Sequence, residues 1–112
     1  MTPARQSDRP RIAVVIPCYR VRQHIEGVLD GVGPEVERIY CVDDACPDRS
    51  GDFIAARSPD ARVVVLRHAV NQGVGGAVMT GYRAAVVDGF DVIVKIDGDG
   101  QMDPRLVGVF VA

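Results

Sequence analysis

The chain has 112 residues, enough for one domain with a core of its own, and its formal net charge of -2 excludes the basic footprint of a nucleic-acid binder. It is 47% hydrophobic but only 5% aromatic, with Val prominent among the aliphatics, which suits a sheet buried on both faces. No apolar run approaches the roughly 20 residues of a membrane-spanning helix, and an odd count of three cysteines with no apolar leader before them predicts free thiols in a reduced, cytoplasmic setting.

In chain order, residues 1–10 are polar, carry Pro3 and Pro10, and read as a flexible tail ahead of a domain over 11–112. Ile12 to Ile16 is a fully apolar first strand, stopped by Pro17. Gln23 to Gly31 places Ile25, Val28 and Leu29 at helical spacing, with Gly31 and Gly33 as stop signals. Ile39 to Val42 is the second strand and ends at Asp43-Asp44. Ser50 to Arg57 is a short helix with Phe53 and Ile54 inward and Ser50 as its expected cap. Arg62 to Arg67 is the third strand. Gly76 to Asp88 is a helix whose Ala77, Thr80, Gly81, Ala84 and Ala85 form a small-residue face for close packing. Val92 to Ile96 is the fourth strand, and Pro104 fits the first turn of a further helix that the chain barely enters.

Strands alternating with helices predict parallel pairing through right-handed crossovers, hence a doubly wound, mainly parallel α/β sheet. A strand order of 3-2-1-4 puts a switch point between the first and fourth strands, where such sheets bind ligands at their carboxyl ends. That edge gathers Pro17-Cys18-Tyr19, Asp43-Asp44 and Asp97-Gly98-Asp99 into one crevice. Asp97 and Asp99 are hard oxygen donors one residue apart at a strand tip, with Gln101 and Asp103 beside them, which suits a divalent cation. Acidic residues after a strand also serve as plain turn formers. A calcium loop starting at Asp97 fails, because its twelfth position is Gly108 and a strand precedes it.

Asn71 to Ala77 opens a helix after the third strand without the dinucleotide spacing. Its amides either face an anion or simply start a closely packed helix, and both readings stay open. Cys41 and Cys46 lack a second metal-binding pair, with His24 and His68 on separate elements. Ser50 has no His at a motif spacing, so nucleophilic serine chemistry finds no support.

Four motifs in order, Val14-Val15-Ile16-Pro17-Cys18-Tyr19, Val42-Asp43-Asp44-Ala45-Cys46-Pro47-Asp48, Asn71-Gln72-Gly73-Val74-Gly75-Gly76-Ala77 and Asp97-Gly98-Asp99-Gly100-Gln101-Met102-Asp103-Pro104, resemble family 2 glycosyltransferases. The likeness is to the dolichol-phosphate (polyprenyl-phosphate) mannosyltransferase branch and runs from Arg11 onward. It implies the Rossmann-like N-terminal half of a GT-A fold, binding a nucleotide-diphosphate sugar such as GDP-mannose or a UDP-hexose. Residues matching Pro17 and Tyr19 line the nucleotide pocket in that family, and the one matching Asp43 contacts the base or ribose. Asp44, Gly73 and Asp97 complete the expected nucleotide set, while Asp97, Asp99 and Gln101 are expected to hold Mg2+ or Mn2+ against the diphosphate. Two departures stand out. Arg20-Val21 replaces a common Asn-Glu, and Cys46 and Arg49 stand where Ser and Gly are common.

The chemistry implied is inverting transfer of the sugar, with the cation neutralising the leaving diphosphate. A polyprenyl phosphate acceptor is already anionic and needs little help from a base. A hydroxyl acceptor needs a carboxylate base, which family members carry in a half expected to lie outside this chain, so no catalytic residue is assigned. On that expectation the 112 residues bind donor, transfer no sugar alone and self-associate through an open sheet edge, while a longer parent works at the cytoplasmic face of a membrane. A non-catalytic nucleotide- or metal-binding module is the alternative. A receiver-type phosphotransfer domain needs a fifth strand that the sequence does not supply.

Overall fold

The structure is a computed structural model that describes residues 9–98. It contains β1 (Ile12–Cys18), α1 (Ile25–Asp30), β2 (Arg38–Asp43), α2 (Ser50–Arg57), β3 (Val63–Arg67), α3 (Gly73–Val87) and β4 (Val92–Lys95). The four strands form one sheet in the order β3-β2-β1-β4, and every pairing is parallel. The α/β class and the reversal between β1 and β4 are therefore as expected from the sequence.

Because side chains alternate across a strand, the continuous apolar run of β1 feeds two cores. Ile12, Val14, Ile16 and Cys18 face Ile25, Val28 and Leu29 of α1 and Ile54 of α2. Ala13 and Val15 face Ala77 and Ala85 of α3, together with Tyr40, Val42 and Phe90. Gly81 sits so near the sheet that a Cβ placed on it would collide with the Val15 side chain. The small-residue face of α3 is thus a close-approach surface. Gly81→Ala forces α3 away from β1.

Most element ends shift by one or two residues from the expected ones, and two boundaries and one cap differ for a physical reason. β1 runs through Pro17 to Cys18. The β1–β4 register ends at the pair Val15↔Lys95, and Val15 and Pro17 share the β4-facing side. Pro17, lacking an N–H, therefore takes nothing from the ladder. α3 starts three residues earlier than expected, at Gly73, which has φ +80 and whose N–H is accepted by Asn71 Oδ1 at 3.0 Å. α2 matches its expected span, but its cap is not Ser50. The cap comes from the tip of β2, as described below.

Among the described residues no helix is long and apolar enough to cross a membrane. The three cysteines are buried and unpaired. Asp99, Gln101, Asp103 and Pro104 lie outside the described residues, as does most of the expected tail over 1–10.

Candidate functional site

A crevice of about 520 Å³ opens at the carboxyl end of the sheet, over the switch point between β1 and β4. Its wall is drawn from four segments: Pro17, Cys18 and Tyr19 after β1; Asp44 and Ala45 after β2; Asn71, Gly73 and Val74 at the start of α3; and Asp97 and Gly98 after β4. Of the residues singled out from sequence, Pro17, Tyr19, Asp44, Gly73 and Asp97 line this one crevice. Asp99 and Gln101 lie outside the described residues, and among those that are described no group of three or more His, Cys, Asp or Glu side chains could hold a metal.

Asp43 stands behind the wall. Its Oδ1 accepts the Cys46 N–H and its Oδ2 the Gly51 N–H, each at 2.9 Å. Both oxygens are thus committed to the β2–α2 corner, where Asp43 does for α2 what an N-cap side chain does, from eight residues back. Arg67 Nη1 lies 3.9 Å from the same carboxylate and also pairs with Asp52. Gly51 makes room for this: a Cβ there would come within 2.5 Å of Asp43 Oδ2.

Asp44 lines the crevice and is even more buried than Asp43. Its Oδ1 accepts the Gln72 N–H at 2.7 Å and lies 2.8 Å from His68 Nδ1, while Asn71 Nδ2 donates to the Asp44 carbonyl at 3.0 Å. Burial opposes ionisation of this carboxyl, but the bonds from His68 and the Gln72 amide outweigh it and hold the group below the usual carboxylate range. Asp44 is consequently a fixed anion at neutral pH. His68 Nε2 in turn meets Thr80 Oγ1 at 2.7 Å, so the β2 tip is tied across the crevice wall to α3.

The departures from the family pattern acquire geometry. Arg49 has φ 56, a left-handed conformation that costs any residue with a Cβ and explains why glycine is common at this position. Arg20, at φ 58, is left-handed too, and Asn tolerates that conformation better than Arg. Cys46 Sγ accepts the Arg20 N–H at 2.8 Å and also bonds Asp48, a donor–acceptor role that a serine hydroxyl fills as well. Ser50 completes this corner, with Oγ accepting the Val21 N–H at 3.2 Å and donating to Asp48 at 2.6 Å. Burial opposes ionisation of Asp48, and the Cys46 and Ser50 hydrogen bonds overcome it.

Asp97 is held differently. It pairs with Lys95 at 3.0 Å, and both side chains are more than a third exposed. Gly98 packs beneath it, where a Cβ would press on Val21 and Ile16 at 3.1 and 3.2 Å. The Cys18 thiol is held well above its usual range by its hydrogen bond with Cys41 and by burial, so it contributes a neutral surface and no nucleophile.

His68 and Ala45 were missed from sequence. His68 follows β3 directly, so the strand-tip logic that selected Asp44 also reached it; only the absence of a paired ligand set it aside. Ala45, left-handed at φ 53 in the crevice wall, carries no chemical signal in its residue type.

Comparison with known proteins agrees with this geometry. Residues 13–112 match the model of the family described as glycosyl transferase family 2. An undecaprenyl-phosphate mannosyltransferase of Micrococcus luteus is 36% identical over 99 residues, covering 85% of this chain and 40% of that protein. Among solved structures, a Pyrobaculum calidifontis mannosyltransferase in complex with GDP-Man and Mn2+ superposes with a TM-score of 0.71 at 24% identity, covering 88% of this chain and 30% of that one. TarS of S. aureus in complex with UDP superposes at 0.72 with 17% identity, over 88% of this chain and 30% of that one. The fold is thus the GT-A fold, and the chain spans well under half the length of the proteins it matches.

Proposed function

The chain belongs to glycosyl transferase family 2, and from that membership we propose that its crevice binds the nucleoside diphosphate of a sugar donor for transfer to an acceptor such as a polyprenyl phosphate. The observation that carries the proposal is the convergence of Pro17, Tyr19, Asp44, Gly73 and Asp97, drawn from four separate segments, on one crevice. A pocket of about 520 Å³ is in the range that takes a nucleotide.

Within that reading the nucleoside lies against Tyr19 and Asp44. Asp44 is the acidic group of the β2 tip that lines the crevice, while the Asp43 oxygens are occupied by Cys46 and Gly51. We assign Asp43 to holding the corner and Asp44 to meeting a donor N–H or hydroxyl of the nucleoside. The diphosphate lies toward the other wall, between the first turn of α3 and the β4 tip. Gly73 and Val74 bring the N-terminus of a fifteen-residue helix to the crevice; the Gly73 N–H is taken by Asn71 Oδ1, and the amides that follow it in the first turn lack intrahelical acceptors.

Among the described residues two carboxylates, Asp44 and Asp97, line the crevice, and an unaccompanied diphosphate is repelled by both. The exposed Asp97 oxygens suit Mg2+ or Mn2+, with Asp99 and Gln101 as further ligands. When bound, the cation neutralises the charge that develops on the leaving diphosphate. Lys95 pairs with Asp97 at 3.0 Å, so a cation held by Asp97 would compete with that ammonium for the carboxylate. The neighbour with GDP-Man and Mn2+ supports this assignment, and the undecaprenyl-phosphate relative supports a lipid-phosphate acceptor.

Calorimetric titration of GDP and UDP into the 112-residue chain, with and without Mn2+, tests the reading. Binding is expected with metal and at least about tenfold weaker without it, a difference of ~1.4 kcal/mol. Equal affinity in both conditions overturns the role of Asp97.

A further inference from the structure

We infer that His68 is a positioning residue for donor binding, one that acts through Asp44 and never touches the donor itself. The inference rests on the reading of Asp44 as a nucleoside contact and adds a residue to it.

His68 follows the last residue of β3, and its N–H is accepted by the Asp43 carbonyl at 2.8 Å, which continues the β2–β3 ladder by one rung. The ring is therefore delivered to the crevice wall by sheet geometry. Its side chain is 6% exposed, and both ring nitrogens are bonded: Nδ1 to Asp44 Oδ1 at 2.8 Å and Nε2 to Thr80 Oγ1 at 2.7 Å. An ionised carboxylate only accepts, so Nδ1 carries the proton toward Asp44. The ring is absent from the crevice lining, whereas Asp44 is part of it.

The consequence is directional. His68 and the Gln72 N–H both hold Oδ1, which fixes the plane of the carboxylate and leaves Oδ2 as the oxygen presented to a ligand. Through Thr80 the same ring is anchored to the second turn of α3, a helix locked to β1 by the close approach at Gly81. Asp44 is thereby aimed by two elements, the end of β3 and α3. Without His68 the carboxylate keeps only the backbone amides of Gln72 and Gly73 and loses its one side-chain tether. A ligand must then pay to order it.

Two replacements separate positioning from simple support. Asn places an amide where Nδ1 stands and restores the donor to Asp44, while Gln places its amide where Nε2 stands and restores only the Thr80 side. Titrations of the His68→Ala, His68→Asn and His68→Gln chains use whichever of GDP and UDP the wild type prefers, the matching nucleoside, and pyrophosphate with Mn2+ as probes. Thermal unfolding confirms that each chain is folded. Expected is a loss of about tenfold or more for nucleotide and nucleoside alike in the Ala and Gln chains, the size of a lost hydrogen bond to a charged group. The Asn chain is expected within about threefold of wild type, and pyrophosphate is expected unchanged in all three.

Equal losses in the Asn and Gln chains, wild-type affinity in the Ala chain, or a parallel loss of pyrophosphate overturns the inference and leaves the donor site standing. An Asn chain that does not fold also overturns it, because His68 is then a structural residue. If the Ala chain does not fold, the contrast between Asn and Gln decides. A wild-type chain that binds neither GDP nor UDP removes the donor site, and this inference with it.

Discussion

At the tip of β2, the Asp43 and Asp44 carboxylates accept three backbone N–H groups, from Cys46, Gly51 and Gln72, and Asp44 is held by His68 as well. At the tip of β4, Asp97 meets the flexible ammonium of Lys95, and its side chain is 37% exposed. Backbone amides fix a carboxylate in place, whereas a half-exposed ion pair leaves it free to change partners. The contrast suits a site that reads a nucleoside with one wall and gathers a cation and diphosphate with the other. A base needs acceptors already in position. A metal needs oxygens still able to move toward it.

The largest effect should come from breaking the fixed wall. Asp43→Ala leaves two buried amides without acceptors, and we expect a loss of about 2–4 kcal/mol in chemical denaturation. A loss below about 0.5 kcal/mol shows that the corner is not built on Asp43.

Acid should undo the same wall. The folded state lowers the Asp44 pKa, so the native protein binds fewer protons there than the unfolded chain. Its contribution is present above the unfolded value, about pH 3.9, and is lost as pH falls through the lower folded value. The stability gap between wild type and Asp44→Asn should therefore shrink below about pH 4. A gap that widens on acidification contradicts the assignment.

A smaller change should sharpen the comparison by relieving strain beside the fixed wall. Arg49→Gly removes a left-handed Cβ at the start of α2, and about 0.5–1 kcal/mol of stabilisation is expected in the same denaturation assay. A destabilised Arg49→Gly chain means that the arginine side chain compensates its own strain. Smallest of all, Asp97→Asn should shift stability by less than about 0.5 kcal/mol, since an exposed ion pair contributes little.

These unequal walls were only partly legible in the sequence. The apolar runs of β1 and β2, the small-residue face of α3 and the acidic tips were enough for the parallel sheet, its order and the edge where ligands gather. They did not separate Asp43 from Asp44. Adjacent identical residues point to opposite sides of a strand end, and only the path of the chain after β2 decides which one turns back to cap α2. The Asp43–Gly51 bond spans eight positions and has no local signature, so Ser50 looked like the cap. His68 was hidden for a similar reason, since its value depends on Asp44 and Thr80, which the fold alone brings to its two nitrogens. Pro17 read as a stop because its position beyond the end of β4 is a matter of register, not residue type.

The division of labour between the walls is tested most directly by crossing two variants with two probes. Asp44→Asn and Asp97→Asn are titrated against the preferred nucleoside and against pyrophosphate with Mn2+. The account predicts that Asp44→Asn weakens the nucleoside by about tenfold or more and spares pyrophosphate, while Asp97→Asn does the reverse. If both variants weaken both probes equally, the crevice is a single undivided site and the account is wrong.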